Sequence, residues 1–168
     1  MYPDAVERHW NDGRNVSAYR SQREDIDDVG FISALIDHLA ESLTVDLSRV
    51  YVTGMSNGAI MALRIACELS DRIAAVAPVC GSIAANLYNK CLPTSPVAVM
   101  MINGEDDPLV PWNGGMVHYG DTTYGEVVSV QQSIDFWVQQ DNCSDEPTTM
   151  WLADRDPNDG TRTHLTTY

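Results

Sequence analysis

Basic residues are scarce in this sequence. Its 168 residues include 10 Lys and Arg against 24 Asp and Glu, a formal net charge of −14, and the sequence pI is near 4.3. Nucleic acids and anionic membrane surfaces repel such a chain, because binding to their phosphates needs positive side chains. The charge balance therefore argues against both partner classes.

Long apolar runs and the common cofactor signatures are also missing. No apolar stretch is long enough to cross a bilayer, and there is no P-loop and no dinucleotide-binding fingerprint. No two cysteines have the C-x-x-C spacing of a zinc site. We therefore predict no metal, no cofactor and no membrane span; the oligomeric state is left open.

The composition is that of a globular protein. Hydrophobic residues make up 44% of the chain, enough for one domain over residues 1–168 with a core of its own. Strand-like and helix-like segments alternate between Val50 and Val138, which predicts an α/β sheet. The apolar run Val97–Ile102 is the strongest strand, and we expect helices on both of its faces. The other predicted elements are a helix over 25–43, strands over 50–54 and 75–79, a helix over 127–138 and strands over 148–152 and 161–168.

The segment Val50–Ala59 carries the clearest chemical signal. An apolar strand ends at Gly54, Ser56 follows in the pattern G-x-S-x-G, and a helical run begins after Gly58. A nucleophile on a strand-to-helix turn needs this arrangement, because small residues let strand and helix approach closely around the serine. The competing interpretation is a chance glycine-rich turn, which the flanking strand and helix disfavour. We predict Ser56 to be a nucleophile.

A serine hydrolase also needs a histidine base and an acid that orients it. The acids Glu105, Asp106 and Asp107 follow the strong strand, at the sheet edge where Ser56 is expected. His118 and His164 follow these acids, but the first lies in a glycine-flanked loop and the second in an alternating strand pattern. Neither pattern favours a base, so we leave the base unassigned.

Several other features have structural interpretations. Cys67 lies on the apolar face of the helix after Ser56 and is expected to be a free thiol, whereas Cys91 and Cys143 lie in loop-like sequence where disulfides are common. Residues 1–14 are predicted to be loop, with a turn at 10–13. Residues 154–160 look like a calcium loop but lack its terminal glutamate, so we interpret them as a turn.

Three groups of residues together identify a family. Residues 27–32 (DDVGFI), residues 46–59 (DLSRVYVTGMSNGA), and Asn103-Gly104 followed by residues 107–112 (DPLVPW) resemble the polyhydroxybutyrate depolymerase-like esterases. That group includes feruloyl and acetylxylan esterases. Residues 10–14 (WNDGR) and Asn142-Cys143 also resemble family segments, so the likeness covers nearly the whole chain.

The resemblance implies an α/β-hydrolase fold, a mostly secreted or periplasmic location and a serine esterase acting on a small-molecule or polymer ester. It implies that Ser56 is the nucleophile, that Asp107 is the acid and that the backbone N–H of Asn57 is an oxyanion donor. It also implies that the His-Gly oxyanion loop, the catalytic histidine and the partner of Cys143 lie outside residues 1–168. We therefore expect a truncated domain with little activity of its own.

Two other functions remain open. A non-catalytic fragment or pseudoenzyme would bind a polymer or partner through exposed aromatic residues such as Trp10, Trp112 and Trp151. A peptidase on the same fold is a weaker alternative, because the strand-to-helix turn at Ser56, the nucleophile elbow, does not distinguish esters from amides.

Overall fold

The computed structural model describes residues 1–168. Helices and strands alternate through most of the chain, as the sequence predicts. Two 3₁₀ turns occur at Val6–Arg8 and Leu47–Arg49. The α-helices are α1 (Arg20–Arg23), α2 (Asp28–Ser42), α3 (Asn57–Glu68), α4 (Ala85–Tyr88) and α5 (Val130–Gln140). The strands are β1 (Tyr51–Met55), β2 (Ala75–Val79), β3 (Ala98–Val99), β4 (Gly115–Tyr119), β5 (Thr122–Val127), β6 (Thr148–Trp151) and β7 (His164–Thr167).

A parallel three-stranded sheet in the order β1-β2-β3 is the centre of the fold. Tyr51 pairs with Ala75 and Met55 with Val79, and an isolated bridge from Val79 to Ile102 extends the β2-β3 pairing beyond the two residues of β3. The carboxyl ends of all three strands therefore lie at one edge, where an open parallel sheet carries its site.

Helix α3 contributes more buried side chains to the core than any other helix or strand. Its side chains Ile60 and Leu63 are fully buried, in the cluster that also contains Val76 and Trp137. Helix α3 covers one face of the sheet, because its apolar residues repeat at helical spacing along the helix. Helix α2 packs beside α3 and is capped by the Asp27 side chain, which accepts a hydrogen bond from the Gly30 N–H.

The opposite face of the sheet is uncovered, contrary to the prediction for Val97–Ile102. Tyr51 and Met55 on β1 are 66% and 70% exposed, and Met100 and Ile102 are 61% and 44% exposed. A shallow, open groove of about 500 Å³ runs along the three strands. The apolar run is that of a strand buried on both faces, but residues 1–168 cover only one.

Two antiparallel pairs accompany the central sheet. Strands β6 and β7 lie where the sequence predicted strands, and they pair along their whole length. Strands β4 and β5 form a hairpin with an irregularity between Met116 and His118, where the sequence predicted a loop. The hairpin was missed because Gly115, Gly120 and Gly125, all at positive φ, interrupt the alternation by which strands are recognised.

The prediction of a free thiol at Cys67 is wrong. Cys67 is not a free thiol but forms a disulfide with Cys91, and both residues are buried. Cys80 and Cys143 are the free cysteines. The helical pattern placed Cys67 on the correct face, but it carries no information about a partner that lies 24 residues away.

Candidate functional site

Ser56 occupies a strained turn between β1 and α3. Its backbone has φ 53° and ψ −118°, a conformation that costs of the order of 1–3 kcal/mol for a residue with a side chain. Its N–H donates to the Val79 carbonyl at 2.9 Å, and its own carbonyl accepts from Ala59 and Ile60 in the first turn of α3. The residue is exposed, and its hydroxyl forms no hydrogen bond that would cap the helix. The surrounding backbone therefore imposes the strain, and the residue stays exposed at the surface.

The two glycines of the motif have different roles. A Cβ on Gly54 would lie 2.5 Å from the backbone carbon and oxygen of Gly58, whereas a Cβ on Gly58 would meet nothing within 4 Å. The close approach of strand and helix thus depends on Gly54 having no side chain, and Gly58 contributes only its backbone. The motif forms the predicted elbow, with the steric requirement at one glycine.

Asn57 begins helix α3. The first backbone N–H groups of a helix have no acceptor within that helix and favour negative charge. The N–H of Asn57 directly follows Ser56 and is therefore a suitable donor for an oxyanion.

The segment Trp10–Arg14, which we call the strap, holds the Asn57 side chain. The Trp10 N–H donates to Asn57 Oδ1 at 2.7 Å, and Asn57 Nδ2 donates to the Trp10 carbonyl at 3.0 Å and to Asp12 Oδ2 at 2.5 Å. Asp12 is 0% exposed and Arg14 is 4% exposed, and the two form a salt bridge at 2.7 Å. The sequence predicted a turn and a family segment here but not these contacts, because contacts across more than 40 residues leave no periodic signal.

Side chains of α2 and α3 hold the strap in place. The Asn11 N–H donates to Asp28 Oδ2 at 2.6 Å, and Arg64 on α3 donates to the Asn11 carbonyl at 2.7 Å. Burial raises the pKa of Asp28, and the Asn11 hydrogen bond and the charge of Arg64 only partly offset that effect. The strap is thus part of the packed interior and not a surface loop.

Asp107 lies in the loop after β3. Its Oδ1 accepts hydrogen bonds from the backbone N–H groups of Leu109 at 2.8 Å and Val110 at 3.0 Å. These bonds fix the carboxylate within its loop. Glu105 and Asp106, the other two acids considered, are exposed and make no side-chain contact of this kind.

Cys80 directly follows β2. Burial, followed by the charge of the Asp107 carboxylate, raises the pKa of Cys80. The Cys80 N–H donates to the Ile102 carbonyl at 2.8 Å, next to the bond from Ser56 to Val79. Because β2 lies between β1 and β3, the backbones that follow β1 and β3 are about 10 Å apart at this edge. The backbone of Cys80, which follows β2, lies between them.

None of the four histidines completes a triad. No histidine side chain donates to or accepts from Ser56 or Asp107. His118 lies on β4 and His164 on β7, both exposed, and His164 packs against Trp151. His9 stacks on Tyr19 at 3.9 Å, and His38 is exposed on α2. The structure thus leaves the base unassigned, as the sequence did.

No group of three or more His, Cys, Asp or Glu side chains is arranged to hold a metal ion. The carboxylates in residues 154–160 accept hydrogen bonds from the backbone of their own loop, as in Asp156 N–H to Asp154 Oδ1 at 3.1 Å. That pattern is the one expected of a turn. No helix is both long and apolar enough to cross a membrane.

Comparison with known proteins gives a consistent set of relatives. Residues 4–123 match the model of the phospholipase/carboxylesterase family. Feruloyl esterase B of Piromyces equi is 30% identical over 125 residues, which are 73% of this chain and 23% of that protein. Feruloyl esterase C of Emericella nidulans is 30% identical over 90 residues, which are 54% of this chain and 32% of that protein.

A Nocardia uniformis subsp. tsuyamanensis protein that carries the name of an esterase, NocK, is 41% identical over 87 residues. These residues are 52% of this chain and 25% of that protein. The chain thus spans about a quarter to a third of the length of these relatives. No solved structure matches it at a significant level.

Proposed function

The chain belongs to the phospholipase/carboxylesterase family of esterase-type α/β-hydrolases, and from this premise we propose that Ser56 is the nucleophile of a carboxylic-ester hydrolase. The observation that carries the proposal is the strained, exposed Ser56 at the junction of β1 and α3. A strained residue that the surrounding fold imposes is typical of a functional site. The strain is tolerated here with no compensating hydrogen bond from the hydroxyl.

The proposed reaction proceeds through an acyl-enzyme. Ser56 Oγ attacks the ester carbonyl while a histidine takes its proton, and the same histidine returns that proton to the leaving alcohol. Water then cleaves the acyl-enzyme. Asp107 orients the histidine, and the Asn57 N–H stabilises the oxyanion. Loss of one such donor typically lowers kcat on the order of 100- to 1,000-fold.

We propose that residues 1–168 are the central part of a larger hydrolase domain, as the resemblance implies. Two observations support this. One apolar face of the parallel sheet is uncovered, and no histidine contacts Ser56 or Asp107. The isolated chain would then have little or no activity, and the histidine would come from elsewhere in the complete protein.

The substrate and the location are also proposed. The relatives named as feruloyl esterases favour a feruloyl ester as substrate; polyhydroxybutyrate oligomers and acetylated xylan are the other esters that the resemblance implies. The disulfide between Cys67 and Cys91 is typical of proteins from oxidising compartments. It supports a secreted or periplasmic location.

The alternative is an inactive fragment or pseudoenzyme that binds a polymer. Of the three tryptophans considered, only Trp151 is exposed, at 58%, and the Arg162 guanidinium lies over its ring at 4.6 Å. Trp10 and Trp112 are half-buried. Only one of the three tryptophans expected to bind a polymer is therefore exposed, which favours the enzyme over the binding module.

The test is covalent labelling of the full-length protein with a fluorophosphonate probe, with hydrolysis of methyl ferulate measured in parallel. We expect wild type to be labelled and Ser56→Ala to lose both labelling and hydrolysis. The matched control Ser42→Ala, on the exposed end of α2, keeps both. An unlabelled wild-type protein, or hydrolysis that survives Ser56→Ala, would reject the assignment.

A further inference from the structure

The Asn57 side chain makes three hydrogen bonds, all of them to the strap. Its oxygen accepts from the Trp10 N–H, and its two N–H groups donate to the Trp10 carbonyl and to Asp12 Oδ2. An amide that pairs with both the N–H and the C=O of one backbone residue has a fixed position and orientation. Asparagine is the shortest side chain that offers one acceptor and two donors.

Asp12 is the anchor of this contact. Its carboxylate accepts five hydrogen bonds: Oδ1 from the Arg14 N–H and Gln22 Nε2, and Oδ2 from Arg14 Nε, Arg14 Nη2 and Asn57 Nδ2. Asp12 is 0% exposed, and a buried carboxylate is tolerated only when it is paired and hydrogen-bonded. Arg14 supplies the compensating charge at 2.7 Å, and together the five hydrogen bonds hold the carboxylate in one place.

The Asp12–Arg14 salt bridge also contacts the β4-β5 hairpin, which follows the loop of Asp107. Arg14 Nη1 donates to the Tyr124 carbonyl at 2.9 Å. A Cβ on Gly125 would lie 2.8 Å from Arg14 Cβ and its carbonyl oxygen, so strand β5 packs directly on the strap. Asp12 and Arg14 thus join the start of α3 to the β4-β5 hairpin.

From this geometry we infer that Asp12 is a positioning residue of the ester-hydrolysing site: through the Asn57 side chain it sets the place of the Asn57 N–H, the oxyanion donor. The inference rests on the proposed function. The chemical need is clear, because a misplacement of about 1 Å at a reacting centre can cost on the order of 100-fold in rate. The donor is the backbone N–H of Asn57, the first residue of helix α3. Contacts that fix the Asn57 side chain therefore fix the position of that N–H directly.

The experiment is steady-state ester hydrolysis by the full-length protein, with active sites counted by fluorophosphonate titration. Asn57→Ala removes three hydrogen bonds but leaves the Asp12–Arg14 pair intact, so the variant is expected to fold. We expect kcat per titrated site to fall about tenfold to 100-fold, with KM within about threefold, because the donor acts mainly on the transition state. Asn89→Ala, an exposed asparagine after α4, is the control and keeps the wild-type kcat.

Asp12→Asn tests the anchor itself. Its amide cannot accept all five hydrogen bonds, so both kcat per site and the thermal midpoint should fall. If this variant does not fold, Asn57→Ala decides the matter alone. The inference is overturned if Asn57→Ala loses thermal stability but keeps kcat per site within twofold of wild type, because the strap would then be only structural. A wild-type protein without hydrolysis, or a Ser56→Ala variant that retains it, would instead reject the proposed function.

Discussion

Gly54 and Gly58 are both glycines of the G-x-S-x-G motif, but the structure excludes a side chain only at Gly54. Gly54→Ala places a methyl group 2.5 Å from the backbone of Gly58, and backbone cannot yield as a flexible side chain can. We expect the free energy of unfolding to fall by about 1–3 kcal/mol or more and Ser56 to lose reactivity, because β1 and α3 must separate. Urea denaturation and fluorophosphonate labelling measure the two effects.

Gly58→Ala is the matched control for that substitution. The methyl group meets nothing within 4 Å, and alanine is favoured over glycine inside a helix by about 1 kcal/mol. Stability should stay the same or rise. If the two variants lose equal stability, the close approach of strand and helix at Gly54 is not what the motif requires.

At the scale of single residues, the sequence predicted the strand-to-helix turn at Ser56 but not the contacts that hold it. The G-x-S-x-G pattern is local, so strand, turn and helix follow from ten neighbouring residues. The strap is not local: Asp12 and Asn57 are 45 residues apart, and nothing in the spacing of either residue indicates the other. The Trp10–Arg14 segment was identified as a turn and a family segment, which marked its place without revealing its contacts.

At the scale of helices and strands, local signals again gave correct predictions, and a contact between distant residues was missed. Helix α2 was predicted over 25–43 and spans Asp28–Ser42, because its apolar stripe and the acids at its start are local signals. The Cys67–Cys91 disulfide depends on how α3 packs beside the segment after α4. Apolar periodicity shows that Cys67 is buried but cannot identify a partner.

That disulfide permits a test at the scale of elements. It closes a loop with a sequence separation of 24, and for a loop of this length the lost chain entropy of the unfolded state corresponds to about 3 kcal/mol. We expect Cys67→Ala/Cys91→Ala to lower the free energy of unfolding by about that amount, together with a smaller loss from the removed apolar atoms. Chemical denaturation with and without reductant measures it.

The control for the disulfide is Cys143→Ala. Cys143 is an exposed free thiol in the structure, so its removal should leave the stability of residues 1–168 unchanged. If wild type has the same midpoint with and without reductant, and the double variant matches it, the buried disulfide does not form in solution.

At the scale of the whole molecule, the main open feature is the exposed apolar face of the central sheet. Tyr51 on β1 and Met100 after β3 are 66% and 61% exposed. Exposed contiguous apolar patches of this kind mark surfaces that another element or chain covers. We therefore expect residues 1–168 expressed alone to bind an apolar dye such as ANS and to self-associate in sedimentation experiments.

Tyr51→Glu/Met100→Glu turns this expectation into a test of the larger domain. In residues 1–168 alone, the two carboxylates should reduce dye binding and association at little cost, because both positions face water. In the full-length protein the same pair should cost several kcal/mol of unfolding free energy, because additional chain would bury the charges. Leu43→Glu/Leu92→Glu, at exposed apolar positions that do not line the groove along the sheet, should change neither protein. Equal tolerance of Tyr51→Glu/Met100→Glu in both proteins would mean that no further chain covers the sheet, and the larger-domain proposal would fail.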